Sequence, residues 1–386
     1  MDKNELSYWM ALAHLEGMST RRKMEIIVSC YYQKKNLSDF FRADNNSKIS
    51  DFAISNPDGT ENQLTQVELD CIGTLSPQIP NYAFMAESLQ EQGYGIITVM
   101  DKEYPKQLKK MMGYTSPLVI YTKGDVSLLN QDAIAIVGSR KAKDISLQFT
   151  DTIARKEVEQ GKIVVSGYAK GVDRQALDSA LAGGGKSIVV LPQGITTFGS
   201  GYRQLYKELT SGRVLIMSYF HPDAGWSVGL AMARNTVVYG LAKEIFVAES
   251  DNHGGTWSGV MSGLKYNSNE KNKEKLAIYV RIPGDKEKNA NLELINMGAE
   301  PITLTGEVKK REDVIEDLSA IENKIISLLR GNSLRPETII EKCGLSWTKQ
   351  RMVGYLDTLK DKGVEKVKVG RYNCYTIKVD EPDLFN

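Results

Sequence analysis

The sequence predicts an α/β protein whose centre is a doubly wound parallel sheet. Between about Tyr94 and about Thr305, short apolar runs alternate regularly with amphipathic segments and loops. Apolar runs without polar alternation are typical of strands that are buried on both faces. Strands that alternate with helices form a parallel sheet that helices cover on both sides.

The alternation is clearest around residues 133–182. "AIAIV" and "KIVVS" are predicted strands, and the segment between them is a predicted helix with Phe149 and Ile153 on one face. A second helix, with Ala176 and Leu177 facing inward, follows the second strand. Further strands are predicted at "SIVVL", "VLIMS", "EIFVAE" and "LAIYV".

Residues 1–90 are predicted to form a helical domain. Trp9 and Leu12 lie on one helical stripe, and Ser19 or Thr20 suits the N-cap of a second helix. This helical hairpin is more typical of a packing module than of a nucleic-acid-binding helix-hairpin-helix. The stretch "ISNPDGTENQ" is predicted to be a loop. A central domain is expected at residues 91–310.

Residues 311–386 are predicted to form a winged helix, from three helices followed by two strands around a "GRYN" turn. Pro336 suits a first helical position, and Ser346 suits the N-cap of the third helix. Residues 320–378 contain 12 Lys or Arg and 6 Asp or Glu, a net charge of +6. A basic winged helix can place its third helix in a DNA groove, but a solvated face or a protein-binding face fits equally well. The candidate residues are Lys349, Arg351 and Arg371.

Composition excludes several classes of protein. The 49 basic and 48 acidic residues give a net charge of +1, which excludes a polybasic chain but not a local basic patch. The four cysteines and three histidines form no close cluster, so we expect no disulfide framework, no metal and no cofactor. No apolar run approaches the roughly 18 residues of a membrane span, and no signal peptide is visible. We therefore expect a cytoplasmic protein.

Polar and glycine-rich segments follow three of the predicted strands. In an open parallel sheet, ligands bind beyond the carboxyl ends of the strands, and glycine lets the backbone approach them closely. Arginine and lysine side chains at such ends favour a phosphate ligand. No dinucleotide fingerprint and no P-loop is present. The candidate residues at these strand ends are Gly138, Ser139, Arg140, Ser166, Gly167, Lys170, Gly171, Asp173, Gly254, Gly255 and Thr256.

Nearly the whole chain resembles the DNA processing protein A (DprA/Smf) family. The resemblance rests on "YWMALAHLEGMS", "DKEYPKQLKKM", "IAIVGSRKA", "VVSGYAKGVDRQALDSAL", "ARNTVVYGLA" and "NLELINMGAEPI". It implies a helical N-terminal domain, an extended Rossmann-like domain and a winged helix. It also implies a non-enzymatic protein that binds single-stranded DNA as a homodimer and acts in recombination and natural transformation by loading RecA. By motif, Arg234 and Asn235 join the strand-end candidates.

The chain departs from the family pattern at several positions. Leu177 stands where the family usually has histidine, "FGSGY" replaces its tyrosine–proline pair, and Thr236 replaces the second arginine of its RNR. These differences indicate a divergent paralogue. An alternative function is therefore a regulatory or antitoxin-like role, with a toxin-like partner, in a phage-defence or mobile-element module.

A nucleotide phosphoribohydrolase of the LOG type is a third hypothesis. "HGGTWSGVMSG" partly matches that family's glycine motif but lacks its preceding proline and final carboxylate. Cleavage of an N-glycosidic bond needs a carboxylate to stabilise charge or to activate water. The nearest acidic candidates are Glu249 and Asp173, and Asp173 is better explained as the N-cap of its helix. An enzyme is therefore the weaker hypothesis.

Overall fold

A computed structural model describes residues 3–50, 52, 54–55, 61–270, 272, 274–284, 287–345, 347 and 349–377. The elements form a helical N-terminal group, a central sheet with its helices, and a C-terminal group of helices with a hairpin. None of the helices within these ranges combines the length and the apolar character that a membrane crossing requires.

The N-terminal group packs around Trp9, Leu12 and Ile26, which are buried. Ser19 is the N-cap of the second helix, and its Oγ accepts a hydrogen bond from the Arg22 N–H at 3.2 Å. The stretch predicted as a loop contains a short antiparallel hairpin, and residues 56–60 lie outside the described residues. The elements are α1 (Lys3–His14), α2 (Thr20–Tyr32), α3 (Leu37–Arg42), α4 (Asn45–Ser50), β1 (Ile54–Ser55), β2 (Glu61–Asn62), α5 (Gln66–Gly73) and α6 (Ile79–Glu91).

The centre of the molecule is a nine-stranded sheet with the order β11-β10-β9-β5-β6-β7-β8-β4-β3. The strands from β11 to β8 in this order are mutually parallel, and β4 and β3 extend the sheet by antiparallel pairing. They are β3 (Gly95–Thr98), β4 (Val119–Gly124), β5 (Ala133–Val137), β6 (Ile163–Ser166), β7 (Ser187–Val190), β8 (Val214–Ser218), β9 (Glu244–Val247), β10 (Ala277–Arg281) and β11 (Glu300–Ile302).

Each predicted strand is present, and the doubly wound α/β class is confirmed. From β5 the chain adds β6, β7 and β8 on one side, and it then returns to add β9, β10 and β11 on the other. The strand order therefore reverses between β5 and β9, which is where open α/β sheets hold their ligands. The sequence did not predict β3, β4 or β11. The strands β3 and β4 are antiparallel additions at one edge of the sheet. The strand β11, at the other edge, has three residues.

Helices cover both faces of the sheet, and Phe149 and Ile153 are buried on the predicted face of the first of the long helices. The helices of this part are α7 (Lys106–Met112), α8 (Asp144–Glu159), α9 (Val172–Ala182), α10 (Gly199–Gln204), α11 (Tyr206–Thr210), α12 (Val228–Leu241), α13 (Gly254–Ser268) and α14 (Asn291–Asn296).

The C-terminal group has its own apolar core, which includes Ile325, Leu329 and Met352. Three helices precede an antiparallel hairpin, which is the order expected of a winged helix. Pro336 begins the second helix and Gly344, in the left-handed conformation, ends it, whereas Ser346 lies outside the described residues. The elements are α15 (Arg311–Leu329), α16 (Pro336–Cys343), α17 (Lys349–Thr358), β12 (Val364–Val369) and β13 (Tyr372–Ile377).

The N-terminal group joins the sheet through His14. Its Nε2 lies 2.8 Å from the hydroxyl of Tyr121 on β4, and its ring packs against Tyr82 and His221. Burial, the charge of His221 and the charge of Lys23 together lower the pKa of His14 to about 3. The folded protein therefore holds a neutral imidazole at this junction.

His14 is predicted to make stability depend on pH. Below about pH 6.5 the unfolded chain binds a proton here that the folded chain does not, so the free energy of unfolding falls as the pH is lowered. One such group contributes about 1.4 kcal/mol per pH unit. Urea unfolding at pH 7.5, 6 and 5 measures this slope, and His14→Gln should reduce it. Equal slopes for the two proteins would contradict the prediction.

Candidate nucleic-acid interface

The loops that follow β5, β6 and β9 meet α12 at the point where the strand order reverses. They enclose a cavity of about 440 Å³, here called the switch-point cleft. Its walls include nine residues that the sequence predicted: Gly138, Ser139, Arg140, Asp173, Arg234, Asn235, Gly254, Gly255 and Thr256.

A second cavity, of about 490 Å³, adjoins the first and is here called the basic–aromatic groove. Tyr168, Phe198 and Trp226 supply its rings, and Arg140, Lys141, Gly167, Lys170 and Arg234 also line it. The two cavities share Arg140, Lys141, Ala169 and Arg234, so they form one continuous surface.

Arg140 and Lys170 follow the neighbouring parallel strands β5 and β6, and both side chains are exposed. Within the described part of the chain, neither forms a hydrogen bond or a salt bridge. Arg140 forms no ion pair with Asp144 or Asp173, either of which would have given it a structural role. These two exposed cations therefore lie at one edge of the sheet without an ion-pair partner among the described residues, although the charge of Arg140 acts on the nearby Asp173 and Arg234.

Arg234 and Asp173 form an ion pair between α12 and the start of α9. Nη1 of Arg234 lies 3.3 Å from Oδ2 of Asp173, and the Arg234 side chain is 3% exposed. Burial raises the pKa of the Asp173 carboxyl, and the charge of Arg234 and the N–H group of Ala169 oppose this rise. Burial likewise lowers the pKa of Arg234, against the charge of Asp173. The pair is thus a desolvated contact at the wall between the cleft and the groove.

Two glycines make this close packing possible. A Cβ on Gly167 would overlap the guanidinium of Arg234, so the loop after β6 approaches the cation with bare backbone. Gly171 has a φ of +80°, and a Cβ there would overlap the carbonyl oxygen of Ser139. The loops after β5 and β6 are therefore packed backbone to backbone.

Asp173 is not the N-cap of its helix, so that expectation is wrong. Gly171 occupies the N-cap position and Asp173 is the second residue of α9. Its carboxylate turns to Arg234 instead of capping the first turn. Ser166 is also turned inward, since it is 1% exposed and its Oγ donates to the carbonyl of Asp173 at 2.6 Å. Neither Ser166 nor Gly171 lines the cleft or the groove.

Glu249, at the end of β9, is held by the protein itself. The residue is 8% exposed, and its Oε2 accepts a hydrogen bond from the hydroxyl of Ser146 at 2.7 Å. Ser146 also lies 3.3 Å from Nη2 of Arg281, which donates as well to Glu287. This buried network fixes the start of the loop that leads to α13, whereas Asp251, two residues further on, is exposed and lines the cleft.

The part of the chain that forms the sheet matches a known protein family. The family model of the DNA recombination-mediator protein A matches residues 95–318, which contain the whole sheet and both cavities. The chain belongs to this family.

Individual relatives agree with the assignment. Protein Smf of Synechocystis sp. is 26% identical over 307 residues, which are 78% of this chain and 71% of the relative. The DNA processing protein DprA of Streptococcus pneumoniae is 28% identical over 169 residues, or 44% of this chain and 59% of that protein. The X-ray structure of that DNA processing protein A has a TM-score of 0.55 at 19% identity, and covers 81% of this chain and 97% of that one, which shows the fold.

Several lining residues of this family member were missed from the sequence. Lys141 directly follows the predicted Arg140, and Tyr168 lies inside the predicted loop after β6. Both residues could therefore have been predicted from the sequence. Phe198 begins the segment "FGSGY", which was noted in the sequence only as a departure from the family pattern, and Trp226 lies in a connection that no local pattern marks. An aromatic residue beside a basic strand end is the signal that finds Tyr168.

Two of the three candidate residues in the C-terminal group contact other side chains of the protein. Nζ of Lys349 lies 2.7 Å from Oε1 of Glu337, so this cation has a partner on α16. Arg371 lies over the ring of Tyr372, 5.2 Å from its centroid. Arg351 belongs to α17, but its side chain is outside the described part of the structure. Whether this group contacts DNA or protein stays a prediction.

Among the described residues, no group of three or more His, Cys, Asp or Glu side chains is arranged to hold a metal ion.

Gly167→Ala is predicted to destabilise the protein through Arg234. The new methyl group displaces a guanidinium that is 3% exposed, and Asp173 loses its partner. Breaking a buried pair costs roughly 3–5 kcal/mol, so we expect a loss of at least about 2 kcal/mol in the free energy of unfolding. Urea unfolding measures it.

Gly199→Ala is the control, because nothing lies within 4 Å of a Cβ at that position. It should change stability by less than about 1 kcal/mol. In an Arg234→Gln background, Gly167→Ala should cost much less, because the shorter side chain leaves room. Additive losses in this double-mutant cycle would contradict the proposed mechanism.

Proposed function

We propose that the protein is a non-enzymatic single-stranded DNA-binding protein of DNA processing and recombination, and that the basic–aromatic groove holds the strand. The observation that carries the proposal is the combination, along one groove, of aromatic rings with exposed cations that form no salt bridge among the described residues. Single-stranded DNA is bound without sequence preference by a positive groove that follows the backbone and by rings on which bases stack. Membership in the recombination-mediator family supports the same function.

The cations of the groove suit phosphate. Arg140, Lys141 and Lys170 are exposed, and the first and last of them have no hydrogen bond or salt bridge within the described residues. A phosphate that binds them breaks no protein contact. Because the net charge of the chain is only +1, this attraction is local and salt screens it strongly.

The aromatic residues suit bases. Trp226 is 53% exposed, whereas Phe198 is buried and packs edge-on against Tyr168 with a ring-centroid distance of 5.0 Å. The guanidinium of Arg174 lies 5.0 Å from the centre of the Tyr168 ring on another side. Tyr168 is thus held in place by its neighbours, and Trp226 offers the larger free face for stacking.

The carboxylates support a binding function over hydrolysis. Asp173 is paired with Arg234, and Glu249 accepts from Ser146. A glycosidic hydrolase needs a carboxylate that faces its substrate. Both acidic candidates contact protein groups instead, which leaves Asp251 as the exposed carboxylate that lines the cleft.

The finer parts of the expected function stay predictions from the sequence. They are RecA or a toxin-like protein as partner, the homodimer, the role in transformation or in defence, and the domain limits at residues 90 and 310.

The double variant Arg140→Ala with Lys170→Ala is predicted to bind single-stranded DNA at least tenfold more weakly. Each charge-assisted contact contributes roughly 1.5–3 kcal/mol, and about 1.4 kcal/mol corresponds to a factor of ten. Each lost phosphate contact should also lower the log–log salt slope by about 0.7. Fluorescence anisotropy with a labelled oligonucleotide across a salt series measures both quantities.

Lys186→Ala with Lys243→Ala is the matched control. These residues immediately precede β7 and β9, at the amino edge of the same sheet, and their loss changes the charge equally. The control should retain affinity and slope. Wild-type affinity in a folded Arg140/Lys170 variant would remove both residues from the site, and a lower melting temperature would show that they stabilise the fold.

Trp226→Ala is predicted to weaken the same binding by about tenfold without changing the salt slope. Stacking of one base on an aromatic ring contributes roughly 1–3 kcal/mol and displaces no counterions. Trp226→Phe keeps a ring and should lose less. The same anisotropy titrations test this, and a changed salt slope or equal affinities of the two variants would argue against stacking.

A further inference from the structure

We propose that His14 is a positioning residue for the basic–aromatic groove, since it contacts His221 and thereby fixes the loop that carries Trp226. This inference rests on the function proposed above, and it gives the N-terminal group a part in DNA binding. The loop spans residues 219–227, joins β8 to α12, and is here called the β8–α12 loop.

The position of Trp226 depends on the backbone of this loop. Its side chain is 53% exposed, and over the ranges that the structure describes it forms no hydrogen bond and no ring–ring contact. Directly after it, Ser227 fixes the chain as the N-cap of α12. The nearest backbone hydrogen bonds before it lie in the turn of residues 221–224. The position of the indole ring is therefore set by this turn on one side and by the start of α12 on the other.

The turn of residues 221–224 is bonded on one side to the connection that follows β7. The N–H of Gly194 donates to the carbonyl of Ala224 at 2.8 Å. Thr196 donates to the carbonyl of Pro222 through its N–H at 3.1 Å and through its hydroxyl at 2.7 Å. A Cβ on Gly194 would overlap that same carbonyl oxygen, so the two segments pack backbone to backbone.

The side chain of His221 connects the same turn to the N-terminal group. Its ring lies edge-on to the ring of His14 at the end of α1, with 5.1 Å between the centroids. It also meets the ring of Tyr82 on α6, at a centroid distance of 6.2 Å. Its Nδ1 accepts a hydrogen bond from the N–H of Asp223 at 3.3 Å. One imidazole thus contacts two helices of the N-terminal group and the backbone of its own turn.

His14 is itself fixed by the sheet, next to the start of the loop. Its Nε2 lies 2.8 Å from the hydroxyl of Tyr121, and the two rings stack with their centroids 5.9 Å apart. Tyr121 pairs across the sheet with Ser218, the last residue of β8. The hydroxyl of Ser218 accepts from the N–H of Phe220 at 3.2 Å and donates to the carbonyl of Gln193 at 2.7 Å. His14 thus lies beside the start of the loop as well as against its turn.

Loss of the His14 ring would leave His221 without its packing partner on α1. The turn keeps its bonds to the connection after β7, so we expect it to open more often and not to unfold. Trp226 lies two residues beyond the turn and moves with it. A ring that samples several positions must be ordered when a base stacks on it, and this ordering lowers affinity. The salt slope counts phosphate contacts and should stay unchanged.

The test uses the full chain with His14→Ala and His14→Phe. Alanine removes the ring, whereas phenylalanine keeps a ring against His221 and loses the hydrogen bond to Tyr121. Hydrogen exchange measures opening of the β8–α12 loop, and fluorescence anisotropy measures the affinity for single-stranded DNA. His14→Ala should raise exchange in the loop by about tenfold and weaken DNA binding by about threefold, at an unchanged salt slope. His14→Phe should change either quantity by less than about twofold.

A second mutation decides whether the effect passes through Trp226. In a Trp226→Ala background, His14→Ala should weaken DNA binding by less than about twofold, because the ring that it positions is gone. A purely structural role of His14 would weaken both backgrounds equally. Ser19→Ala is the control for stability, since it removes the N-cap of α2 in the same helical group. It should leave loop exchange and DNA affinity as in the wild type.

If His14→Ala does not fold, His221→Ala removes the same contact from the loop side and should give the same changes. Three results would overturn the inference: unchanged exchange in the β8–α12 loop, equal losses of affinity in the two Trp226 backgrounds, or a loss in His14→Phe as large as in His14→Ala. A wild type that binds no single-stranded DNA would overturn the proposed function instead. The exchange measurement would still show whether His14 holds the loop.

Discussion

The ion pair between Arg234 and Asp173 is the contact on which the arrangement of the strand-end loops depends. One partner comes from α12 and the other from the first turn of α9, and the guanidinium lies against the bare backbone of Gly167. The side chain of Arg234 is 3% exposed and that of Asp173 is 17% exposed, so loss of either partner would leave a largely buried charge at a large penalty. The loop after β6 and the helix α12 are therefore fixed to each other. The same pair lies between the switch-point cleft and the basic–aromatic groove. It therefore helps to determine the shape of both cavities.

The topology of the sheet explains why cations without partners collect at this edge. Helices cover the two faces of the sheet, but the carboxyl ends of β5 and β6 open to solvent between the loops. Arg140 and Lys170 stand there, and the fold makes no hydrogen bond or salt bridge with them in the described part of the chain. Arg234 differs from both, because it is buried and its charge is paired with Asp173. Side chains that do not stabilise the fold are the ones that remain for a ligand.

The sequence predicted the parallel strands because a strand buried on both faces is a continuous apolar run, as in β5 and β6. It missed β3, β4 and β11, which are edge additions whose pairing depends on distant parts of the chain. It predicted the polar strand ends because glycine and a cation directly follow an apolar run. It could not predict that the hydroxyl of Ser166 and the carboxylate of Asp173 face protein groups, because the partners become neighbours only in the folded sheet. Trp226 was missed for the same reason.

The polar side chains along the basic–aromatic groove determine whether it can discriminate between DNA sequences. Discrimination between bases needs hydrogen-bond donors and acceptors that face base edges, whereas phosphate contacts and ring stacking are the same for every sequence. The amide of Gln193 is the group at the groove best suited to a base edge, but its Nε2 donates to the carbonyl and the hydroxyl of Thr197 at 2.8 and 3.0 Å. The rings around it stack on any base, and the exposed cations suit the phosphate backbone. In the switch-point cleft, the hydroxyl of Ser250 is likewise engaged, because it donates to the carbonyl of Asp251 at 2.8 Å. The lining of the groove therefore favours binding of single strands without sequence preference.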